Sequence, residues 1–371
     1  MKPFNSVFIT NPDDLTSKHN GGVQLCSQEF LKAIKIVDPG VEVLYVNHSK
    51  LWADRIARKF GVKAYASYNE KNERDLFNRL KAIQPTYIFV NKSEALRIAR
   101  AAKSVLPQSK VILLSHGNQS GDDLFEVTSE HGRSFSGIKR LFATWKLGLN
   151  IVTESTFRRN GSIDYVVAMS QEEQVIENWL GANKTFYFPR IIEPKPLTWA
   201  PVPKRVGFIG TLNHPPNRVA IEELLKLGLA EKCEFRLIGG PNTFGINLKK
   251  NHPHIHYCGR LSDQEANDEI ATWSININPI FWLSRGASMK FGDTLSKGVP
   301  VLSSEFGRRG YQTSKELFFE TSNDPETFLG DLLRIIEQPD LLASVQNKIA
   351  FAQKIEPSYK NIAAQLEAFL R

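Results

Sequence analysis

Residues 285–311 read RGASMKFGDTLSKGVPVLSSEFGRRGY, a small-residue turn, a lysine, a carboxylate and an apolar strand in one short unit. Arg285, Gly286, Ala287 and Ser288 stand where a helix can begin. A helix start presents unpaired backbone N–H groups and a partial positive charge, which suits phosphate oxygens. Lys290 lies inside the expected helix and can reach the same anion, although a lysine on an exposed helix face would look the same alone. Asp293 follows three residues later on the same face, placed to accept hydrogen bonds from ribose hydroxyls. Lys297 and Gly298 close the helix and residues 299–304 open a buried strand. Strand, loop and helix in this order predict an anion site.

The same pattern runs outward in both directions. FNSVFIT (residues 4–10), VEVLYVN (41–47), TYIFVN (86–91) and VILLSHGN (111–118) read as buried strands, with helices expected at residues 23–36, 50–60 and 73–83. The first strand leads through NPDDLTSKHNGG to Gly21 and Gly22, which permit positive φ and close backbone approach before a helix. The fourth strand delivers His116 to its carboxyl end. Strands at 165–168 and 185–188 flank a helix entered at Ser170. PRIIEPKPLTWAPVP (189–203) is proline-rich and reads as a stiff linker. After it, KRVGFIGTLN, CEFRLIGG, IHYCGRL and SININPIF repeat the strand-and-turn pattern. Gly210 and Thr211 end the first of these strands and face the expected crevice, where a plain tight turn is the alternative. Alternating strands and helices define an α/β chain of two doubly wound layers.

At 371 residues, with 42% hydrophobic and 10% aromatic residues, the chain suits two folded domains. Cys26, Cys233 and Cys258 lack metal-ligand spacing and read as reduced buried thiols. The absence of a long apolar run and of a signal-peptide profile places the chain in the cytoplasm. Residues 1–195 hold 27 Lys and Arg against 20 Asp and Glu, and the remainder 20 against 19. The excess concentrates in residues 133–159, where Lys139, Arg140 and Lys146 alternate with Ile138, Leu141, Phe142, Trp145 and Leu147. Such a helix can lie on an anionic membrane surface, which opens a peripheral position on the inner face. It can equally bury Leu141, Phe142 and Trp145 as core with its lysines solvated. Nucleic acid is not an expected partner, since no recognised motif accompanies the charge.

FIGTLNHPPN, RLIGG, HYCGRLSDQEANDEIATWSININP and the 285–311 run occur in this order within residues 205–311. Together they resemble the donor-binding half of GT-B glycosyltransferases, in particular the retaining family four, or group 1, enzymes. Asp293 stands where that pattern carries a glutamate. Arg285 stands where it often has another, and an arginine favours a diphosphate or an acidic sugar. The N-terminal half resembles the family only generally, through Gly21-Gly22, His116 and DYVVAMSQEE.

The resemblance implies a GT-B fold of two Rossmann-like doubly wound domains facing each other across a cleft. Residues 1–190 would bind the acceptor, 191–350 the nucleotide-sugar donor, and 351–371 would form a helix crossing back to the first domain. It implies transfer of a hexose-type sugar from a nucleoside-diphosphate sugar to a saccharide or lipid-linked acceptor in bacterial-type surface glycan synthesis. Retention, and independence of metal and cofactor, are likewise implied. Gly286, Ala287, Ser288, Lys290 and Arg285 would hold the diphosphate, Gly210, Thr211, Gly21 and Gly22 would approach the donor, and Arg260 and Leu261 would sit by the base. His116 would lie beside the transferred sugar and act with Lys290 in catalysis; a structural histidine is the other reading. Asp263, Glu265, Asp268 and Glu269 read as helix capping and solvation, not a metal site. A catalytically silent nucleotide-sugar-binding or assembly subunit and a GT-B epimerase are the alternative functions.

Overall fold

The computed structural model describes residues 4–16, 21–60, 66–128, 137–283, 285–352 and 355–371. The chain divides into two compact units, Met1–Pro189 with Tyr359–Arg371, and Arg190–Ser358.

The first unit is built on a six-stranded sheet, β1 (Ser6–Thr10), β2 (Glu42–Tyr45), β3 (Tyr87–Asn91), β4 (Lys110–Ser115), β5 (Tyr165–Ala168) and β6 (Thr185–Tyr187), in the order β2-β1-β3-β4-β5-β6. All pairs are parallel. Parallel strands are covered on both faces, which is why β1 is buried along its whole length and β4 everywhere except Lys110. One face packs Val7, Ile9, Ile88, Val90, Val111 and Leu113 against Leu96, Ala99 and Ala102 of the Leu96–Val105 helix. The strand order reverses between β1 and β3, so the loops leaving those strands diverge. Ligands of open α/β sheets settle in the opening this creates. The Tyr359–Leu370 helix packs on the Gly22–Val37 helix, and Tyr87 donates its hydroxyl to the Leu370 carbonyl at 3.0 Å.

Of the two readings of the basic stretch, the Gly137–Arg159 helix rules out the one that buries Leu141, Phe142 and Trp145 as core. Its buried face carries Asn150, Glu154 and Arg158 beside Ala143, Leu147 and Phe157, while Leu141, Phe142 and Trp145 are exposed and do not form core. The polar side chains go inward because they satisfy one another. Arg158 forms a two-pronged pair with Glu177 and also donates to the Glu154 carbonyl and Asn118 Oδ1. Glu154 accepts from Ser120 Oγ and the Gln119 backbone. Burial still pushes the Glu154 carboxyl upward. Residues 133–136 of the basic stretch lie outside the described residues.

The second unit carries β7 (Arg205–Ile209), β8 (Glu234–Ile238), β9 (His256–Gly259), β10 (Ile275–Asn278), β11 (Val301–Ser304) and β12 (Phe319–Thr321) in the order β12-β11-β10-β7-β8-β9. This is the dinucleotide-fold order, with its reversal between β7 and β10. Phe208, Leu237, Ile275 and Ile277 pack on the Pro215–Lys226 and Pro325–Ile336 helices. The proline-rich stretch is no free linker. Residues 190–202 are strapped to this unit by backbone bonds from Arg190 to Gly310, Lys195 to Ser296, Leu197 to Lys297 and Ala200 to Ala271. Of the cysteines, Cys26 is buried, whereas Cys233 and Cys258 are only half-buried; all three are free thiols.

Candidate functional site

In the second unit the site elements converge at the β7/β10 reversal. The helix expected from residues 285–311 forms over Met289–Ser296 with Ser288 as its N-cap. The Ser288 side chain does not cap the first turn. Its hydroxyl donates instead to Asn278 Oδ1 at the end of β10, 2.8 Å away, and Asn278 Nδ2 donates to Ser303 Oγ and the Gly307 carbonyl. The amides at the helix start therefore point outward with the helix dipole behind them.

Lys290 stands in this first turn, where the dipole disfavours a cation. Its Nζ donates to Asn217 Oδ1 at 2.8 Å and lies 5.2 Å from the centre of the Phe208 ring. Asn217, buried in the first turn of the Pro215–Lys226 helix, donates in turn to the Thr211 carbonyl at 2.8 Å. Burial of the ammonium, with Arg309 close by, pushes its pKa down to about 7. A neutral amide is thus the partner of a half-buried cation, and an anion arriving there would meet a charge with no counterion among the described residues.

Two further features shape the surroundings. Gly210 has φ +154° and packs edge to edge with Gly239, where a Cβ would collide with the Gly210 carbonyl. A Cβ on Gly210 would itself lie 3.5 Å from Lys290 Cδ. The glycines thus leave the backbone bare around the ammonium. Arg309, 5% exposed, donates to the Gly286 carbonyl at 2.6 Å and the Arg285 carbonyl at 3.3 Å, fixing the loop before the helix. Tyr311 holds the Ser288 carbonyl at 2.9 Å.

Gly210, Thr211, Gly286, Ser288 and Lys290 are therefore gathered into one place. Ala287 packs inward toward the Phe291 and Tyr311 cluster, and Leu261 packs on the Ile270 and Trp273 cluster. The Arg285 side chain is exposed. Arg260 lies over Gly240, whose missing Cβ makes room for its guanidinium, and the Gly240 carbonyl accepts from Leu212 N beside Thr211. The Asp293 carboxylate is exposed on the same helix and accepts from Lys297 Nζ at 2.7 Å. Among the acidic residues after β9, Ser262 and Glu265 form a capping box and Glu269 pairs with Arg236. A depression of about 570 Å³ along β9 shares only Leu261 with the expected site. Its carboxylates Glu265, Asp268 and Glu269 make it a poor place for phosphate.

In the first unit, Gly22 begins the Gly22–Val37 helix and Gly21 is its N-cap with φ −86°. The expected positive φ is not used at Gly21. His116 follows β4 and its Nε2 lies 2.8 Å from Asn91 Oδ1 at the end of β3. Ser27 Oγ donates to the Val23 carbonyl, so it accepts from Asn91 Nδ2, which also reaches Thr10 Oγ1. This fixes the Asn91 amide with its oxygen toward the ring. The His116 Nε2 then carries the hydrogen that Asn91 Oδ1 accepts. Phe30 packs edge-on to the ring at 5.5 Å. Sequence reasoning missed Asn91, Asn217 and Arg309, although Asn217 ends the quoted FIGTLNHPPN and Arg309 lies inside the 285–311 run.

Residues 203–338 match the family described as glycosyl transferases group 1. No curated protein matches the chain. Among solved structures, sucrose-phosphate synthase from Thermosynechococcus elongatus superposes with a TM-score of 0.63 at 14% identity over 98% of both chains. Anabaena HepE in complex with UDP and glucose gives 0.60 at 13% over 99% of each. An α,α-trehalose-phosphate synthase from Burkholderia xenovorans in complex with glucose-6-phosphate gives 0.59 at 12%, over 99% of this chain and 100% of that one. At such identities the superpositions speak for the fold, which is GT-B. Residues 203–338, most of the second unit, are thus similar to the group 1 glycosyl transferases, on a chain whose whole length has the GT-B fold.

Proposed function

We propose that the protein transfers a sugar from a nucleoside-diphosphate sugar to a saccharide or lipid-linked acceptor of a bacterial-type surface glycan. The observation that carries this reading is Lys290, a half-buried ammonium at a helix start whose hydrogen-bond partner is the neutral amide of Asn217. The diphosphate would complete it. As the glycosidic bond breaks, negative charge grows on the leaving diphosphate, and Lys290 with the bare amides of residues 289 and 290 stabilises that charge in place before the reaction. Gly210 and Gly286 let the phosphates approach backbone, and Arg260 and Leu261 flank the base. In the first unit His116, oriented by Asn91, hydrogen-bonds the transferred sugar. Independence of a divalent cation follows the same reading, since lysine and helix dipole occupy the charge-neutralising role, while retention rests on the family resemblance alone. The complex of HepE with UDP and glucose supports a sugar nucleotide as donor class. The protein would work peripherally on the inner face of a membrane.

The test is donor hydrolysis. With sugar nucleotides of several bases supplied singly, one should release free sugar slowly, and Lys290→Ala should abolish that release. Equal rates in parent and variant would remove Lys290 from the reaction.

A further inference from the structure

Two helices of the first unit expose apolar side chains that nothing else among the described residues covers. On the Gly137–Arg159 helix, Ile138 (85% exposed), Leu141, Phe142 and Trp145 fall at the i, i+3, i+4, i+7 spacing of a single stripe. On the Trp52–Lys59 helix and its flanks, Trp52 (74% exposed), Ile56 and Phe60 follow one another at intervals of four residues, with Leu51 exposed at the N-cap. The stripes meet, for the Phe60 and Phe142 rings touch edge to face at 5.6 Å. Eight exposed large apolar residues on one surface are unusual for a face left to water.

The exposed charges carried by these two helices are of one sign, with Glu126 of the neighbouring Gln119–Thr128 helix 3.7 Å from Lys146. Lys50, Arg55, Lys59, Lys139 and Arg140 are all exposed. Within residues 50–60 and 137–159 the carboxylates are Asp54 and Glu154, and both are buried, Asp54 against Ser49 and Arg97, Glu154 against Ser120. Lys146, which the sequence grouped with this basic face, is instead drawn to Asp123 at 2.7 Å and is half-buried.

We infer that this two-helix face seats the protein on an anionic lipid surface, with Trp52 and Trp145 in the headgroup region and the five cations against lipid phosphates. The inference deepens the peripheral-membrane part of the proposed function. It names the Trp52–Lys59 helix as half of the contact and excludes Lys146 from it. A second copy of the chain is disfavoured as occupant, because a self-complementary contact would bring like charges together without compensating carboxylates. An anionic bilayer offers both complements, hydrocarbon for the stripes and phosphate for the rim, and one amphipathic helix alone binds less apolar area than two.

The experiment is sedimentation with vesicles of equal parts phosphatidylcholine and phosphatidylglycerol, and with phosphatidylcholine alone. The parent should sediment with the mixed vesicles only, less so at high salt. Trp52→Ser/Ile56→Ser should weaken partition by about tenfold or more, and Lys139→Glu/Arg140→Glu should do likewise. All these positions are exposed, and an unchanged melting midpoint would show the variants folded. Parent-like partition of the Trp52/Ile56 variant overturns the two-helix face while leaving a membrane contact through the other helix. No sedimentation of the parent overturns both, and a parent that dimerises through Trp52 without binding vesicles assigns the face to a second copy. The donor-site reading fails separately, on nucleotide binding measured without vesicles.

Discussion

Lys290 Nζ donates to Asn217 Oδ1 at 2.8 Å, joining the first turn of one helix to the first turn of another 73 residues earlier in the chain. Both helix starts face the reversal between β7 and β10, so the contact places a cation where two dipoles present their positive ends. Such an arrangement is unfavourable for the protein alone and favourable for a bound diphosphate. This defines what Lys290→Ala should do: weaken nucleoside diphosphate binding by about 1.5–3 kcal/mol, the worth of a charge-assisted bond. Isothermal titration checks the difference.

The depressed pKa of Lys290 gives this binding a pH signature. In the unliganded protein the amine titrates near 7, below the ordinary 10.5, because burial and Arg309 disfavour the charged form. Binding a phosphate requires that charge, so affinity for a sugar nucleotide should fall as pH rises above 7, by up to about tenfold per pH unit. For the unliganded fold the sign is reversed. Between pH 7 and 10.5 the unfolded chain holds a proton that the folded chain releases, so Lys290 makes the fold more stable as pH rises through that window. Titrations at pH 6.5 and 8.5, with Lys290→Ala as the flat control, check the first trend.

Arg309 acts on the loop and not through charge alone. Replacing it by methionine frees the carbonyls of Gly286 and Arg285, at an expected stability cost of about 1–3 kcal/mol, and weakens donor binding. Arg309→Lys should not restore binding, since an ammonium cannot reproduce the planar fork that reaches both carbonyls. Urea unfolding and nucleotide titration on both variants separate stability from affinity.

In the first unit, His116→Ala should lower turnover on the order of 100-fold and leave nucleotide affinity unchanged. Asn91→Ala should shift turnover in the same direction by less, because the ring is kept but its tautomer and direction are released. Normal turnover of His116→Ala would make the residue structural.

The Arg158–Glu177 pair is fully buried and holds the loop after His116 through Asn118. Glu177→Gln leaves a buried guanidinium without its counter-charge and should destabilise the protein by about 3–5 kcal/mol. Calorimetry on the variant tests this.

The strands and their order of appearance were legible because buried parallel strands are continuous apolar runs ended by glycine or polar turns, as VGFIG and VILLSHG show. The helix Leu96–Val105 was passed over: LRIARAAKSV carries three cations, one of which, Arg97, is buried against Glu70 and Asp54, so its apolar face is masked in the sequence. In the Gly137–Arg159 helix the buried Arg158 and Glu154 are not announced by the amphipathic pattern, which shows only the apolar and basic residues. The strap of residues 190–202 is held by backbone atoms that side-chain types do not encode. At the site, glycines, Ser288 and Lys290 announce themselves by local pattern. Asn217 and Arg309 acquire their roles only when distant elements meet.

The central claim is that Lys290 completes a nucleoside-diphosphate site, and thermal shift tests it most directly. UDP, GDP, TDP, ADP and CMP are each added, with and without Mg²⁺, to the parent and to Lys290→Ala. The account predicts that one diphosphate raises the parent's midpoint regardless of metal and that the shift collapses in the variant. An absence of shift with every nucleotide, or an equal shift in both proteins, would contradict it.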